Sequence, residues 1–285
     1  EYGKFNFALA FVGLFAIFAD LGLSQITTRE FSRDKEKEKE FSSLLSLKIL
    51  LSIGALILIF IGSFFITGDP FIQKAILILG IYIIISNLSE IFYAFLRARQ
   101  KMEYEAWAKI FQALVITGLG FFVILNFPSL ISLSYSYLFA SLVALIAVSV
   151  FFYFKVFPFN LSFNKTVWRR FLAMSWPLAL AGILGGIYSQ IDSVMMGYWG
   201  QITQTGWYNA AYRVIGAVLI PAALIASSFY PVLSKFFKES KEKLQRAYDY
   251  FMESMIILAI PIMVGGIALA PKIIDWVYDS SYFPT

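Results

Sequence analysis

The sequence predicts an all-α, polytopic membrane protein, and three observations carry that reading. Hydrophobic residues make up 59% of the 285 positions and charged residues only 14%, with a mean hydropathy of +0.74. A soluble domain carries roughly 25% charged residues. The apolar residues are gathered into runs of about 20 or more, long enough to cross a hydrocarbon core of ~30 Å. Two stretches also echo each other 203 positions apart, Asn6 with Asn209, Ala8 with Ala211, Lys35 with Lys238 and Glu36 with Glu239. Weak internal repeats of this kind are a signature of membrane transporters.

Eight spans follow in order: 5–28, 44–66, 71–96, 106–125, 130–154, 171–199, 206–233 and 250–270. Each is too long and continuous for a barrel strand, so the backbone satisfies itself in lipid as helix. The first ends at Arg29, the third at Arg97, the fifth at Lys155 and the seventh near Lys235. The others end in short connections, near 67–70, 126–129 and 200–205. Arg and Lys follow this alternation: 19 of the 23 lie in or beside the segments 29–43, 97–105, 155–170 and 234–247, leaving Lys4, Lys74, Lys272 and Arg213. The positive-inside rule makes those four segments cytoplasmic. Within the first, the KEKEKE run is expected to be a solvated helix.

The repeat extends the expectation beyond the spans themselves. Both copies point the same way, giving a parallel repeat of two six-helix lobes, an N-terminal one over 1–160 (helices 2–6) and a C-terminal one over 161–285 (helices 7–9). On that pattern roughly 38 residues with one helix precede Glu1, and roughly 75 residues with three helices follow Thr285, for about twelve helices in all.

Several function classes are excluded or disfavoured. With no Cys, there is no disulfide and no thiolate metal site; with no His, imidazole ligands and the usual general base are missing. No glycine-rich phosphate loop lies beside a strand-like segment, so neither cofactor nor metal is expected. The net charge of +5 resides in inter-span loops and does not point to nucleic acid. The short connections opposite the basic side leave no extracytoplasmic domain for a membrane polysaccharide polymerase or glycosyltransferase.

Ionisable residues inside spans are the functional candidates, because the bilayer penalises them. Five stand out: Asp20, Glu90, Lys109, Asp192 and Arg213. Asp192 lies seven residues before Trp199 and Arg213 seven after Gly206, so both fall about 10 Å from one boundary. They suit either an ion pair locking two antiparallel helices or a substrate or coupling role. Asn209 and Gly216 share the face of Arg213, and a guanidinium on a cavity suits a diphosphate. Asp20 and Glu90 lie at the opposite end, and Lys109 enters from that side. Asn6, Gly13, Asp20, Ser24 and Thr27 form one stripe of the first helix, either a polar cavity lining or a small-residue packing seam. Pro177, Pro221 and Pro261 fall within spans, as in the kinked helices of alternating-access carriers.

The run EYGKFNFALAFVGLFAIFADLGLSQITTREFSRD resembles the second helix and following loop of the polysaccharide and O-antigen flippases, a family of the multidrug/oligosaccharidyl-lipid/polysaccharide exporter superfamily. SWPLALAGILGGIYSQIDSVMMGYWG and GWYNAAYRVIGAVLIP resemble its seventh and eighth helices. The resemblance implies a two-lobed carrier in the plasma (inner) membrane that flips a polyprenyl-diphosphate-linked oligosaccharide to the outer leaflet by alternating access. It implies a coupling ion, H⁺ or Na⁺, and as pathway partners a glycan polymerase or glycosyltransferases. Asp20, Asp192 and Arg213 fall on its DLG, IDS and AAYR patterns. The nearest alternative within the superfamily is a multidrug or toxin exporter that exchanges organic cations for Na⁺ or H⁺.

Overall fold

The computed structural model describes residues 1–156, 158–278 and 280–285, with every side chain among them except Lys35, Lys238 and Ser280. The loop side chains expected at Lys35 and Lys238 thus lie outside the described residues. All regular structure among the described residues is helical. The elements are α1 (Tyr2–Ala16), α2 (Leu23–Arg33), α3 (Phe41–Ile66), α4 (Pro70–Ala98), α5 (Met102–Asn126), α6 (Leu130–Lys155), α7 (Lys165–Tyr198), α8 (Ile202–Glu239) and α9 (Lys241–Val277), with short 3₁₀ turns at Ile17–Ala19, Lys35–Glu40 and Ser280–Tyr282. With α1 and α2 counted as one interrupted span, eight helical segments are long and apolar enough to cross a membrane.

Local chemistry sets the helix starts. Pro70 occupies the first turn of α4, and the Asp69 carboxylate accepts from the Phe71 N–H at 2.9 Å. Ser129 caps α6 by accepting from the Ser132 N–H at 3.1 Å, and Asn164 caps α7 by accepting from Thr166 and Val167. Each satisfies backbone donors that have no partner inside the helix. Two of the departures from the sequence reading bear on the candidate residues. The connection between α7 and α8 is only 199–201, turned by Gly200 at φ +77°, and α8 carries Gly206 inside it. Arg213 therefore stands eleven residues into its helix instead of seven. The first span is also not one helix: α1 stops at Ala16, and α2 restarts at Leu23.

By contacts the chain forms two compact units, Glu1–Thr205 and Gly206–Thr285. In the first, α3 is amphipathic in the membrane sense. Its inward stripe is Lys48, Ser52, Ala55, Ile59 and Ser63, all buried, while Ile53, Ile57, Phe60 and Phe64 are exposed on the other side. Small and polar residues face protein and apolar ones face lipid, the reverse of a soluble helix. At the basic end, Phe31, Phe41, Phe92, Phe95, Phe152 and Phe171 form an aromatic core, with Phe41 stacked on Phe152 at 4.8 Å between centroids. At the other end Phe5, Phe7, Phe11, Ile59, Ile76 and Leu79 form a second core. There Gly197 of α7 lies so near the Phe7 ring that any Cβ would overlap it.

The KEKEKE run is not simply solvated. Glu38 is buried and takes both nitrogens of the Arg99 fork, with Nε at 3.0 Å; Glu40 pairs with Arg170; Lys37 reaches Glu30 at 2.7 Å. The turn ties α2, α4 and α7 together, because arginines on two neighbouring segments each find one of its carboxylates. The Trp168 indole N–H adds a hydrogen bond to the Ser43 carbonyl at 2.8 Å. At the opposite end, Lys4 pairs with Asp69 at 3.0 Å, and its hydrogen bond holds the Asp69 carboxyl below the usual range.

The second unit pairs α8 with α9. Trp207 donates its indole N–H to the Ser281 carbonyl at 2.9 Å, and an apolar cleft of about 350 Å³ opens between the helices beside Ala211, Val218, Ile262 and Gly266. Pro177 lies inside α7, Pro221 and Pro231 inside α8, and Pro261 and Pro271 inside α9.

The break in the first span makes two opposite predictions. Leu21 (φ +47°) and Gly22 (φ +74°) both adopt left-handed backbone. A Cβ on Gly22 would lie 2.8 Å from Leu178 Cβ and 3.3 Å from the Ser175 carbonyl of α7. Gly22→Ala is expected to destabilise the fold by about 1–3 kcal/mol, and Leu21→Gly to stabilise it by up to about 1 kcal/mol. Thermal unfolding of the two variants in detergent checks this, and shifts of the same sign would refute it. The Lys4–Asp69 pair gives a pH prediction. Because the folded carboxyl titrates lower than the unfolded one, its contribution is full above the unfolded pKa of about 3.9 and fades as pH falls through the folded value. Lys4→Met should therefore lower stability slightly at neutral pH, flatten the acid limb of the stability profile, and converge with wild type at its acid end.

Candidate functional site

The break at 17–22 builds the site. In the bilayer interior a non-helical backbone is tolerated only where protein or a watered cavity receives its polar groups. Here the chain satisfies itself by tightening: the Asp20 and Leu21 N–H groups both donate to the Ile17 carbonyl, at 3.0 and 2.9 Å, and the Leu23 N–H donates to the Asp20 carbonyl at 2.9 Å. The Thr28 hydroxyl then ties α2 to α4 through the Ala94 carbonyl at 3.1 Å. The turn delivers Asp20, Leu21 and Gly22 to the wall of a cavity of about 340 Å³.

Asp20 is the centre of that wall. Its Oδ1 accepts from the Lys48 ammonium and, at 2.5 Å, from the Ser24 hydroxyl. Lys48 is fully buried, whereas the Asp20 side chain keeps 23% of its surface open toward the cavity. The sequence reading assigned Lys48 to the flank of the charged loop. Because α3 begins at Phe41, Lys48 instead lies seven residues inside a helix and reaches back under the break. Such a pair in low dielectric is held by mutual attraction against a large desolvation penalty.

In the same cavity Glu90 of α4 forms a second ionic group. Its carboxylate accepts from Lys109 at 2.9 Å and from Arg97 at 3.3 Å; Glu105 accepts from the same two cations at 2.8 and 2.7 Å. Lys109 also lies over the Tyr93 ring, 5.2 Å from its centroid. Three carboxylates, Asp20, Glu90 and Glu105, thus meet three cations, Lys48, Arg97 and Lys109. Ser24, Gln25 and Asn87 complete the polar lining, and Leu178, Ala179 and Gly182 of α7 provide an apolar side. The chemistry on offer is therefore hydrogen bonding in a charge-balanced, half-apolar chamber.

The expected site residues divide accordingly. Asp20 and Glu90 border one cavity, and Lys109 joins it through Glu90. Asp192 lies exposed near the C-terminal end of α7, while half-buried Asn209 and exposed Arg213 lie on α8 in the second unit. The stripe expected along the first helix does not run continuously, because the break rotates its lower half. Asn6 is buried and donates to the Tyr2 carbonyl at 2.8 Å, and Gly13 faces Gln190 of α7. Only Asp20 and Ser24 of the stripe line the cavity, and the Thr27 hydroxyl is buried with no hydrogen-bond partner among the described residues. Lys48, Gln25, Asn87 and Arg97 were not singled out from the sequence. A lysine inside LLSLKILLS and an asparagine inside IIISNLSE are the signals that would have found two of them. Among the described residues no three acidic side chains gather into a metal site.

The fold is shared with solved membrane transporters, two of them from the MOP superfamily. An inward-facing multidrug resistance MATE family transporter of that superfamily superimposes with a TM-score of 0.70 at 16% identity, over 95% of this chain and 71% of its own. A MOP superfamily transporter from Pyrococcus furiosus, described by the reverse polarity of its binding pocket, gives 0.63 at 16% identity, over 96% and 65% of the two chains. Within that fold the chain belongs to the polysaccharide biosynthesis protein family, whose pattern matches residues 1–237. A curated relative, the "Probable low-salt glycan biosynthesis flippase Agl15" of Haloferax volcanii, is 22% identical over 99% of this chain and 59% of its own length. The chain thus spans about three fifths of the relative it matches.

The Asp20–Lys48 pair yields an asymmetric prediction. Asp20→Asn leaves a fully buried ammonium without its counter-charge and is expected to cost about 3–5 kcal/mol. Lys48→Met leaves a carboxylate that the cavity can hydrate, and should cost less. The double variant should recover part of the loss, a coupling readable from a thermal-unfolding cycle. Additive losses would mean that the two groups do not act as a pair.

Proposed function

We propose that this chain is part of a carrier that flips a polyprenyl-diphosphate-linked oligosaccharide from the cytoplasmic to the outer leaflet by alternating access. Membership of the polysaccharide biosynthesis protein family carries the reading, and the glycan flippase among its relatives supports it. The cavity chemistry agrees. Ser24, Gln25 and Asn87 offer the hydroxyl and amide groups that pair with sugar hydroxyls, while the apolar α7 wall suits the ring faces of a glycan.

The same cavity argues against organic-cation exchange. A site for such a cation needs a carboxylate left uncompensated, and here Asp20 and Glu90 are each held by a cation of the protein. On this proposal the protein sits in the plasma membrane with the segments 29–43, 97–105, 155–170 and 234–247 on the cytoplasmic side, as the density of Lys and Arg favours. The two lobes are 1–160 and 161–285. Asp192, Asn209 and Arg213 are the contacts of the second lobe with the substrate diphosphate or the coupling ion. Glycan polymerase and glycosyltransferases act before and after it in the pathway.

The test uses the full-length protein in proteoliposomes with a fluorescent polyprenyl-diphosphate oligosaccharide and a membrane-impermeant quencher. Protein-dependent loss of quenching is expected. Gln25→Ala/Asn87→Ala is expected to slow it at least severalfold, and Arg213→Ala to do the same with unchanged protein level. Transport of an organic cation in place of the lipid would overturn the proposal.

A further inference from the structure

We propose that Lys48 is a tethered cation: its ammonium occupies the place beside Asp20 that a free monovalent cation would otherwise take, so that this cavity needs no bound Na⁺ to compensate its carboxylate. The inference rests on reading the cavity as a transport chamber, yet its test reads ion binding and needs no transport.

Four observations place the ammonium in a cation's position. Asp20 lies at the break of a membrane helix, where a lone carboxylate requires a counter-charge. Its Oδ1 is shared between Lys48 and Ser24, and the Ser24 hydroxyl lies 3.4 Å from Lys48 Nζ, so the ammonium stands between two oxygens. Those are the hard oxygen donors that alkali cations select. The Lys48 side chain is fully buried while Asp20 opens on the cavity, so the charge is supplied from behind the wall and leaves the chamber side free. One turn further along the same face of α3, the Ser52 hydroxyl is buried, with no hydrogen-bond partner among the described residues. It is a third oxygen on the segment that a shortened side chain would leave empty.

Removal of the tether should reopen the place to a free ion. The measurement is the melting temperature of the full-length protein in detergent, titrated with NaCl against choline chloride at constant ionic strength, and separately with methylammonium. Lys48→Ala is expected to melt lower than wild type in choline. Na⁺ or methylammonium at about ten times its dissociation constant should raise that melting point by about 1–3 °C beyond any shift in the wild type. Asp20→Asn/Lys48→Ala should lose the added response. Lys48→Gln keeps the stem and places an amide oxygen beside Asp20, so it reads the same response if Lys48→Ala does not accumulate. Two outcomes would overturn the proposal. One is a lysine-free variant that responds to Na⁺ and methylammonium no more than wild type. The other is a wild-type Na⁺ response that Asp20→Asn abolishes, since the ion would then bind with Lys48 in place. Neither outcome bears on whether the protein flips a lipid.

Discussion

Every backbone amide inside a bilayer must find its partner within the protein, and the interruption at 17–22 meets that demand in a way that shapes the whole first unit. The tight turns around Ile17 and Asp20 satisfy the amides but force Leu21 and Gly22 into left-handed backbone. Gly22 adopts that conformation at little cost, and its missing side chain is what lets α7 come so close. The same turn presents Asp20 to the membrane interior, which requires Lys48, which in turn fixes the face that α3 turns inward. One irregularity thus positions three helices and one cavity.

Around that corner, polar and apolar forces divide the labour by depth. At the basic end, arginines from two segments clamp the glutamates of the KEKEKE turn over a cluster of phenylalanines. Edge-to-face packing with centroids near 5 Å, as between Phe95 and Phe152 at 4.9 Å, adds direction to their burial. Isolated ion pairs at a water boundary contribute little each. Here they act on elements that the aromatic core already holds together, and so they choose register more than they supply stability.

Much of this was legible from the sequence, and the exceptions have physical causes. The eight spans were readable because lipid demands about 20 apolar residues per crossing. The break was not, since LFAIFADLGLSQ reads as apolar almost throughout and left-handed backbone at Leu21 has no composition signature. Lys48 reads as a flank of the charged loop because charge ordinarily marks the end of a membrane helix; a carboxylate 28 residues earlier reverses that rule. Asp20 and Glu90 were found because intramembrane carboxylates stand out alone. The amides of Gln25 and Asn87, uncharged and common in any helix, gave no comparable signal.

The balance of three carboxylates against three cations at this corner also has an electrical meaning. A single charge moved through the full membrane potential involves about 2.3 kcal/mol per 100 mV. A lone carboxylate at the depth of Asp20 would feel some fraction of that whenever the chamber rearranged, and the resting voltage would bias the protein toward one orientation. Because Asp20 travels with Lys48, and Glu90 and Glu105 with Arg97 and Lys109, the corner shifts no net charge. A shift of this corner as one body would therefore move no net charge through the field, and the voltage would neither drive nor oppose it.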